Sequence, residues 1–277
     1  LGRIRWHAVA LPVSTSETST EDRQIEVRTY FVRERNAMVA RAEFSSLFVD
    51  YYLHLADWEM RVEPEVAELA KQALAAVTLY CASRPRADRV AWTVHFENPL
   101  LNIFAAGDNP AETVVVNAFT ENVRQGDRCL FYSDLIVGTN PPRRSVVDFE
   151  GADLLRAVER FYEQSEQRMG RFFWHGDEDL VLVTSQPDCD FEWLASLDDA
   201  AIRELDRTQA LSLLEQRHYR FECGCSNERM LKLLVPTFRQ DAEALFEGED
   251  SLRISCPRCG ARHVVTREAL EARAAER

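Results

Sequence analysis

The chain has 277 residues, 46% of them hydrophobic and 29% charged, enough for one substantial core and a small satellite domain. Its 46 acidic residues outnumber 33 basic ones, and a net charge of −13 argues against nucleic acid as the partner, because phosphate neutralisation needs a basic surface. No apolar run approaches the roughly 18–20 residues of a membrane span and the start shows no basic-then-apolar signal pattern, so a cytoplasmic protein without membrane contact is expected.

Residues 1–24, with a Ser/Thr/Glu-rich tract from 14, read as a mobile entry segment. Ile25 to Val32 and Ala37 to Phe44 alternate apolar and polar residues as strands do, with Arg33 to Asn36 as the turn. Ser45 or Ser46 caps a helix to about Ala56. Pro64 opens a longer helix to Cys81, whose buried stripe is Val66, Leu69, Ala73, Leu74 and Val77. A meander follows through Val90–Phe96, Leu101–Ala106, Thr113–Phe119 and Cys129–Val137, broken at Asn98-Pro99, Gly107 to Pro110 and Gln125 to Asp127. Ser145–Phe149 adds a strand and Ala152–Gln167 a helix; Phe172–Trp174 and Leu180–Thr184 form a hairpin around His175. Mixed strands and helices without a βαβα rhythm predict an α+β domain over 25–187.

From 188 to 217 the pattern turns helical and highly charged. Phe191, Trp193, Leu194 and Leu197, then Ile202, Leu205, Leu211 and Leu214, predict two short helices of modest apolar content. They read as a linker of low local stability, or as a plain cover for one face of the main sheet; both readings can hold.

The remaining segment, 218–277, carries Cys223 and Cys225 as C-x-C and Cys256 and Cys259 as C-x-x-C, with a gap, 226–255, long enough for a pair of helices. Four soft sulfur ligands without a carboxylate partner suit a closed tetrahedral structural Zn2+ site. The C-x-C pair is unusual, since side chains i and i+2 share one face of an extended segment. Such a pair can share a metal or close a strained disulfide, and strained disulfides are the labile kind. Ser226 caps a helix from Asn227 to Leu234, and a helix N-terminus favours the Cys225 thiolate. An inert zinc knuckle and a pair of secreted-domain disulfides are the alternatives on these cysteines alone. Cys81, Cys129 and Cys189 stand singly, which suits reduced thiols in a cytosol.

Elsewhere the chemistry is sparse. Asp188 and Asp190 raise the pKa of Cys189 and make it a poor nucleophile. His7, His54, His95, His175 and His218 show no ligand spacing, and His263, beside the knuckle, is a packing residue because four cysteines complete the tetrahedron. No nucleophile elbow, Walker A or dinucleotide fingerprint is present, so no enzyme activity is expected.

The segment Cys223-Gly224-Cys225-Ser226-Asn227-Glu228-Arg229, followed by Cys256-Pro257-Arg258-Cys259-Gly260, resembles the zinc module of heat-shock protein 33, a family of redox-regulated holdase chaperones. Phe161-Tyr162-Glu163-Gln164-Ser165-Glu166-Gln167 is similar to that family's helix-ending Tyr-x-x-Ser-Glu-Gln motif. The likeness is clear over roughly 145–275 and only in outline before that. The chain departs from the family in having only Gly107 between Arg89 and Phe119, and His263 where an aromatic residue is usual. The resemblance implies a client-binding domain (25–187), a helical linker (188–217) and a zinc-binding switch domain (218–277). It also implies an ATP-independent holdase for unfolded or misfolded clients, Zn2+ held by Cys223, Cys225, Cys256 and Cys259, and a homodimer in the oxidised state. On oxidation it implies Cys223–Cys225 and Cys256–Cys259 disulfides. Two intervening residues strain the ring less than one, so Cys256–Cys259 is expected to close first and Cys223–Cys225 only once the linker has partly unfolded. The rival is a binding or adaptor protein whose zinc module never switches.

Overall fold

The computed structural model describes residues 23–176 and 178–275, so all but the last two residues of the expected mobile segment 1–24 lie outside the described residues. Two half-sheets meet on one strand. The ten-stranded sheet has the order β7-β6-β3-β4-β5-β10-β1-β2-β9-β8. One half is the meander β3 (Asp88–Glu97), β4 (Leu100–Asp108), β5 (Thr113–Phe119), β6 (Cys129–Val137) and β7 (Arg143–Phe149). The other holds the hairpin β1 (Ile25–Val32) and β2 (Ala37–Glu43) and the hairpin β8 (Gly170–His175) and β9 (Asp179–Ser185). All the meander strands and both hairpins fall where alternation and turn residues place them, and the architecture is α+β.

The joining strand is β10 (Leu211–Phe221). It runs antiparallel to β1 from Leu211 to Tyr219 and then parallel to β5 at Arg220 and Phe221. Residues 211–217, expected to end the helical linker, are therefore its first part. Leu211 and Leu214 suggest helical spacing, yet Arg217 and Tyr219 are buried two residues apart and Leu213 and Leu214 are exposed. The unpaired edge of β1 and buried polar bonds override a weak helical pattern. Arg217 Nη1 donates to Cys81 O (3.2 Å) and Nη2 to Glu215 (2.5 Å), while Tyr219 Oη donates to Asn109 Oδ1 (2.9 Å). Asn109 Nδ2 completes the knot by donating to Cys81 O at 2.9 Å.

Alternation gives each strand two apolar faces. One packs on α2 (Pro64–Ala82), which has proline in its first turn and is alanine-rich. The expected one-sided stripe is only part of the truth: every residue from Ala73 to Ala82 is buried, because α3 (Leu154–Gln164) covers the side of α2 away from the sheet. The Ser165-Glu166-Gln167 corner ends α3. Glu166 there accepts from Tyr80 Oη (2.9 Å) and Arg84 Nη1 (3.2 Å), a structural role.

The opposite face has two covers. Three short helices, α4 (Phe191–Ser196), α5 (Asp199–Arg203) and α6 (Leu205–Thr208), lie over Val32, Val39, Val181 and Val183 of the hairpin half. The C-terminal module lies over Ala91, Phe104, Ala106 and Val115 of the meander half. Asp188-Cys189-Asp190 belongs to the first cover. Burial pushes the Cys189 thiol up, and Asp190 caps α4 by accepting from Trp193 N and pairs with Arg35.

Beneath α2, Gly107 leaves room for the buried Cys81 side chain: a Cβ at 107 would overlap Cys81 Sγ. Burial also pushes the Cys81 thiol up to about 12, so it is inert to oxidant. Gly107→Ala is expected to cost about 1–3 kcal/mol in urea unfolding, as overpacking does. Adding Cys81→Ala should recover most of that loss. Equal stability of Gly107→Ala and wild type would refute the packing assignment.

Candidate metal centre

The first knuckle grows out of β10. The strand ends at Phe221 and Cys223 follows two residues later. Gly224 then adopts φ +63°, a left-handed turn that a side chain resists, so one intervening residue suffices to bring both sulfurs to a common point. The C-x-C segment is thus a glycine-dependent turn and not the plain extended pair expected. Ser226 Oγ accepts from Arg229 N at 3.2 Å and caps α7, which runs from Asn227 to Gln240, past the expected stop at Leu234.

The second knuckle is the turn of a hairpin between β11 (Ser251–Ser255) and β12 (Arg262–Thr266). Cys256 N donates to Ala261 O (2.7 Å), Gly260 N donates to Cys256 O (2.8 Å), and Gly260 has φ +77°. α7 and α8 (Ala242–Phe246) fill the gap between knuckles as anticipated, and α9 (Arg267–Ala275) packs back on α7.

Long-range folding brings all four sulfurs together. Cys223, Cys225, Cys256 and Cys259 place their Sγ atoms within 4.8 Å of one another. Across the knuckles, Cys223 Sγ lies 3.6 Å from Cys256 Sγ, and Cys225 Sγ lies 3.6 Å from Cys259 Sγ. A tetrahedral ion with metal–sulfur bonds of about 2.3 Å separates its ligands by about 3.8 Å, so the cluster has the size of a tetrathiolate site. The thiols are free. Cys256 and Cys259 are 3% and 1% exposed and Cys223 and Cys225 half-buried, which makes a closed site without room for a substrate.

The electrostatics favour a cation. Hydrogen bonding with Cys256 and then burial push Cys223 up to about 12, and Cys259 is pushed up by hydrogen bonds with Cys223 and Cys256. Cys225 is raised by burial first. Cys256, the acceptor of Cys223 and Cys259, is held low. Protons are shared because four thiolates this close repel; a divalent ion removes that repulsion and favours all four ionised.

Four contacts that the sequence does not announce fasten the second knuckle and its hairpin to the end of α1 and to β5. His54, near the end of α1 (Ser45–Asp57), bonds through Nε2 to Cys259 O at 2.8 Å. Trp58 lies 5.4 Å from the ring of His263. Asn117 of β5 donates to Pro257 O at 3.4 Å, and Met60 Sδ packs on Gly260. None has a local motif, since each joins residues more than a hundred positions apart. The other histidines are structural: His95 bridges Asn102 and Glu97 at 2.7 and 2.6 Å, and His218 lies 3.8 Å from Glu26. His175 lies in β8; His7 is outside the described residues.

Comparison with known proteins agrees with this geometry. The family model described as Hsp33 protein matches residues 182–266, the stretch holding the short helices, β10 and both knuckles. The chain is 25% identical over 227 residues to a protein named 33 kDa chaperonin in Aliivibrio salmonicida, covering 70% of this chain and 78% of that one. It is 27% identical over 154 residues to a 33 kDa chaperonin of Pseudomonas fluorescens, covering 46% and 51%. The crystal structure of the 33 kDa chaperonin of Thermotoga maritima, a heat-shock protein 33 homologue, has the same fold, with TM-score 0.65 at 12% identity over 90% of this chain and 97% of that one. The chain is thus similar to the heat-shock protein 33 family over residues 182–266, and to 33 kDa chaperonins in sequence and fold.

Reduced protein is expected to carry one metal ion per chain. In Cys223→Ser/Cys256→Ser, which removes one ligand from each knuckle, metal analysis should find the ion lost. Undiminished metal in that variant would overturn the ligand assignment.

Proposed function

We propose that the chain is a cytoplasmic, redox-regulated, ATP-independent holdase for unfolded or misfolded proteins, with Zn2+ on Cys223, Cys225, Cys256 and Cys259 in its resting state. The observation that carries this reading is the convergence of the four sulfurs inside a module that itself covers one apolar sheet face. The action is binding; the site offers no catalytic group. The functional division follows the chain with one change from the expected bounds: a client-binding body over 25–187 completed by β10, a linker over 188–210, and a switch that begins beyond β10 at 222. Bound zinc would supply much of the folding energy of a module with a small core of its own, on the order of 10 kcal/mol.

A peroxide is the chemical signal. The half-buried Cys223 thiolate attacks one peroxide oxygen, giving a sulfenic acid and hydroxide. The Cys256 thiolate, 3.6 Å away, displaces hydroxide and forms a Cys223–Cys256 disulfide. Cys259 then attacks Cys256 Sγ and expels Cys223 as thiolate, leaving the relaxed C-x-x-C disulfide. A second peroxide pairs Cys223 with Cys225. With two, then four, ligands withdrawn, the module loses its staple, and Ala91, Phe104, Ala106 and Val115 lose their cover.

The linker is the second cover. Arg171 Nη1 donates to the carbonyls of Leu194, Ala195 and Leu197 at 3.0, 3.0 and 2.7 Å, gathering the end of α4 onto β8. Arg35 holds the start of α4 through Asp190 (2.5 Å) and lies over Trp193. Beneath are Val32, Val39, Phe173, Val181 and Val183, an apolar surface suited to clients once the helices lift. The oxidised form is expected to dimerise through such surface.

Peroxide titration followed by mass spectrometry should show Cys256–Cys259 accumulating first with zinc release, then Cys223–Cys225 with suppression of client aggregation. Appearance of Cys223–Cys225 first would refute the order. Full oxidation with zinc retained and client aggregation unaffected would establish the static adaptor instead. Arg171→Ala should weaken linker docking by about 1.5–3 kcal/mol, the range for charged hydrogen bonds, and lower the oxidant needed for holdase activity. An unchanged oxidant requirement would remove the linker from the mechanism.

A further inference from the structure

The two knuckles are not equally supplied with side-chain hydrogen-bond donors. Among the described hydrogen bonds, the one side-chain nitrogen aimed at any of the four sulfurs is Nε2 of His263, 3.3 Å from Cys225 Sγ.

That imidazole is a built element. His263 is 5% exposed. Trp58 packs against it at 5.4 Å, and Asn227 Oδ1 lies 3.0 Å from Nδ1. Asn227 lies two residues beyond Cys225, so the same helix start that carries the ligand orients the ring. A metal-bound Cys225 is a thiolate with no proton to give, so the contact has one sense: Nε2–H donates to sulfur. With Nε2–H committed to sulfur, a neutral ring accepts at Nδ1, so the Asn227 amide turns to present Nδ2–H there.

We infer that His263 is a positioning residue that donates Nε2–H to the metal-bound Cys225 thiolate and shields it from electrophiles, leaving Cys223 as the sulfur that reacts first. A hydrogen bond into a thiolate stabilises the lone pair an electrophile must attack, so it slows that sulfur while leaving it on the metal. Cys223 is also half-buried but has no such donor among the described hydrogen bonds. Attack at Cys223 places the sulfenic acid 3.6 Å from Cys256, the thiolate that begins transfer to the relaxed pair. Attack at Cys225 would direct it toward Cys259 instead.

This inference rests on the tetrathiolate metal site but not on holdase activity, and its test separates the two. The full-length zinc-loaded chain is treated with limiting iodoacetamide, and modification of each cysteine is followed by peptide mass spectrometry. In wild type, Cys223 should react faster than Cys225. In His263→Phe, which keeps a packed ring and removes the donor, Cys225 should react about tenfold faster with the other three rates little changed; tenfold corresponds to about 1.4 kcal/mol of barrier. His263→Gln, with an amide N–H in reach, should restore much of the protection. In the Co2+-substituted chain, His263→Phe should shift the sulfur-to-cobalt charge-transfer band to lower energy, a change that loosened packing alone would not give. Asn227→Ala retains the donor and frees the ring, so an intermediate Cys225 rate is expected and reads the same contact should the Phe variant not hold metal. An unchanged Cys225 rate in both His263→Phe and Asn227→Ala, or an equal rise at all four cysteines, overturns the inference. A wild-type chain that binds no metal refutes the site and this role together.

Discussion

Four cysteine sulfurs held within 4.8 Å of one another impose the constraint on which the rest of the structure depends. As thiols they share protons unevenly; as thiolates they repel unless a cation lies among them. The knuckles that hold them are anchored in different places. One is the continuation of β10, the strand that joins the half-sheets, and the other is a hairpin turn pressed on β5 and the end of α1. Whatever happens at the sulfurs therefore bears on the contact between the module and the sheet.

That contact explains the arrangement of the domain. The sheet has α2 and α3 as a permanent cover on one face, with buried aromatic rings such as Tyr80, Trp92, Phe131 and Phe161 packed at 5.0–6.1 Å. The other face is covered piecewise by short helices and by the metal module, neither of which carries a core of that kind. Elements of this sort lie at the low end of local stability. On the proposed reading the module owes its fold to metal ligation, while the short helices are held by Arg35 and Arg171.

Much of this was legible in the sequence. The meander, both hairpins and the first two helices follow from alternation, Pro64 and the turn residues, and the four cysteines that converge stand out by their C-x-C and C-x-x-C spacing. What was not legible is long-range. Residues 211–217 carry leucines at helical spacing among charges, and only the free edge of β1 and the buried bonds of Arg217 and Tyr219 make them a strand. The uniform burial of α2 depends on α3, which joins it only in three dimensions. His54, Trp58 and Asn117 have no local signature of their role, because the knuckle they hold lies more than a hundred residues away. His263 looked like a packing residue; it is one, and it also faces the Cys225 sulfur, which spacing alone does not encode.

Hydrogen exchange on reduced protein, with metal bound and after chelation, tests the central claim most directly. If the metal is the staple of a module laid on an independently stable sheet, chelation should abolish amide protection across 223–275 while α2 and β3–β5 keep theirs. Protection retained in the module without metal, or lost in module and sheet together, would contradict the account.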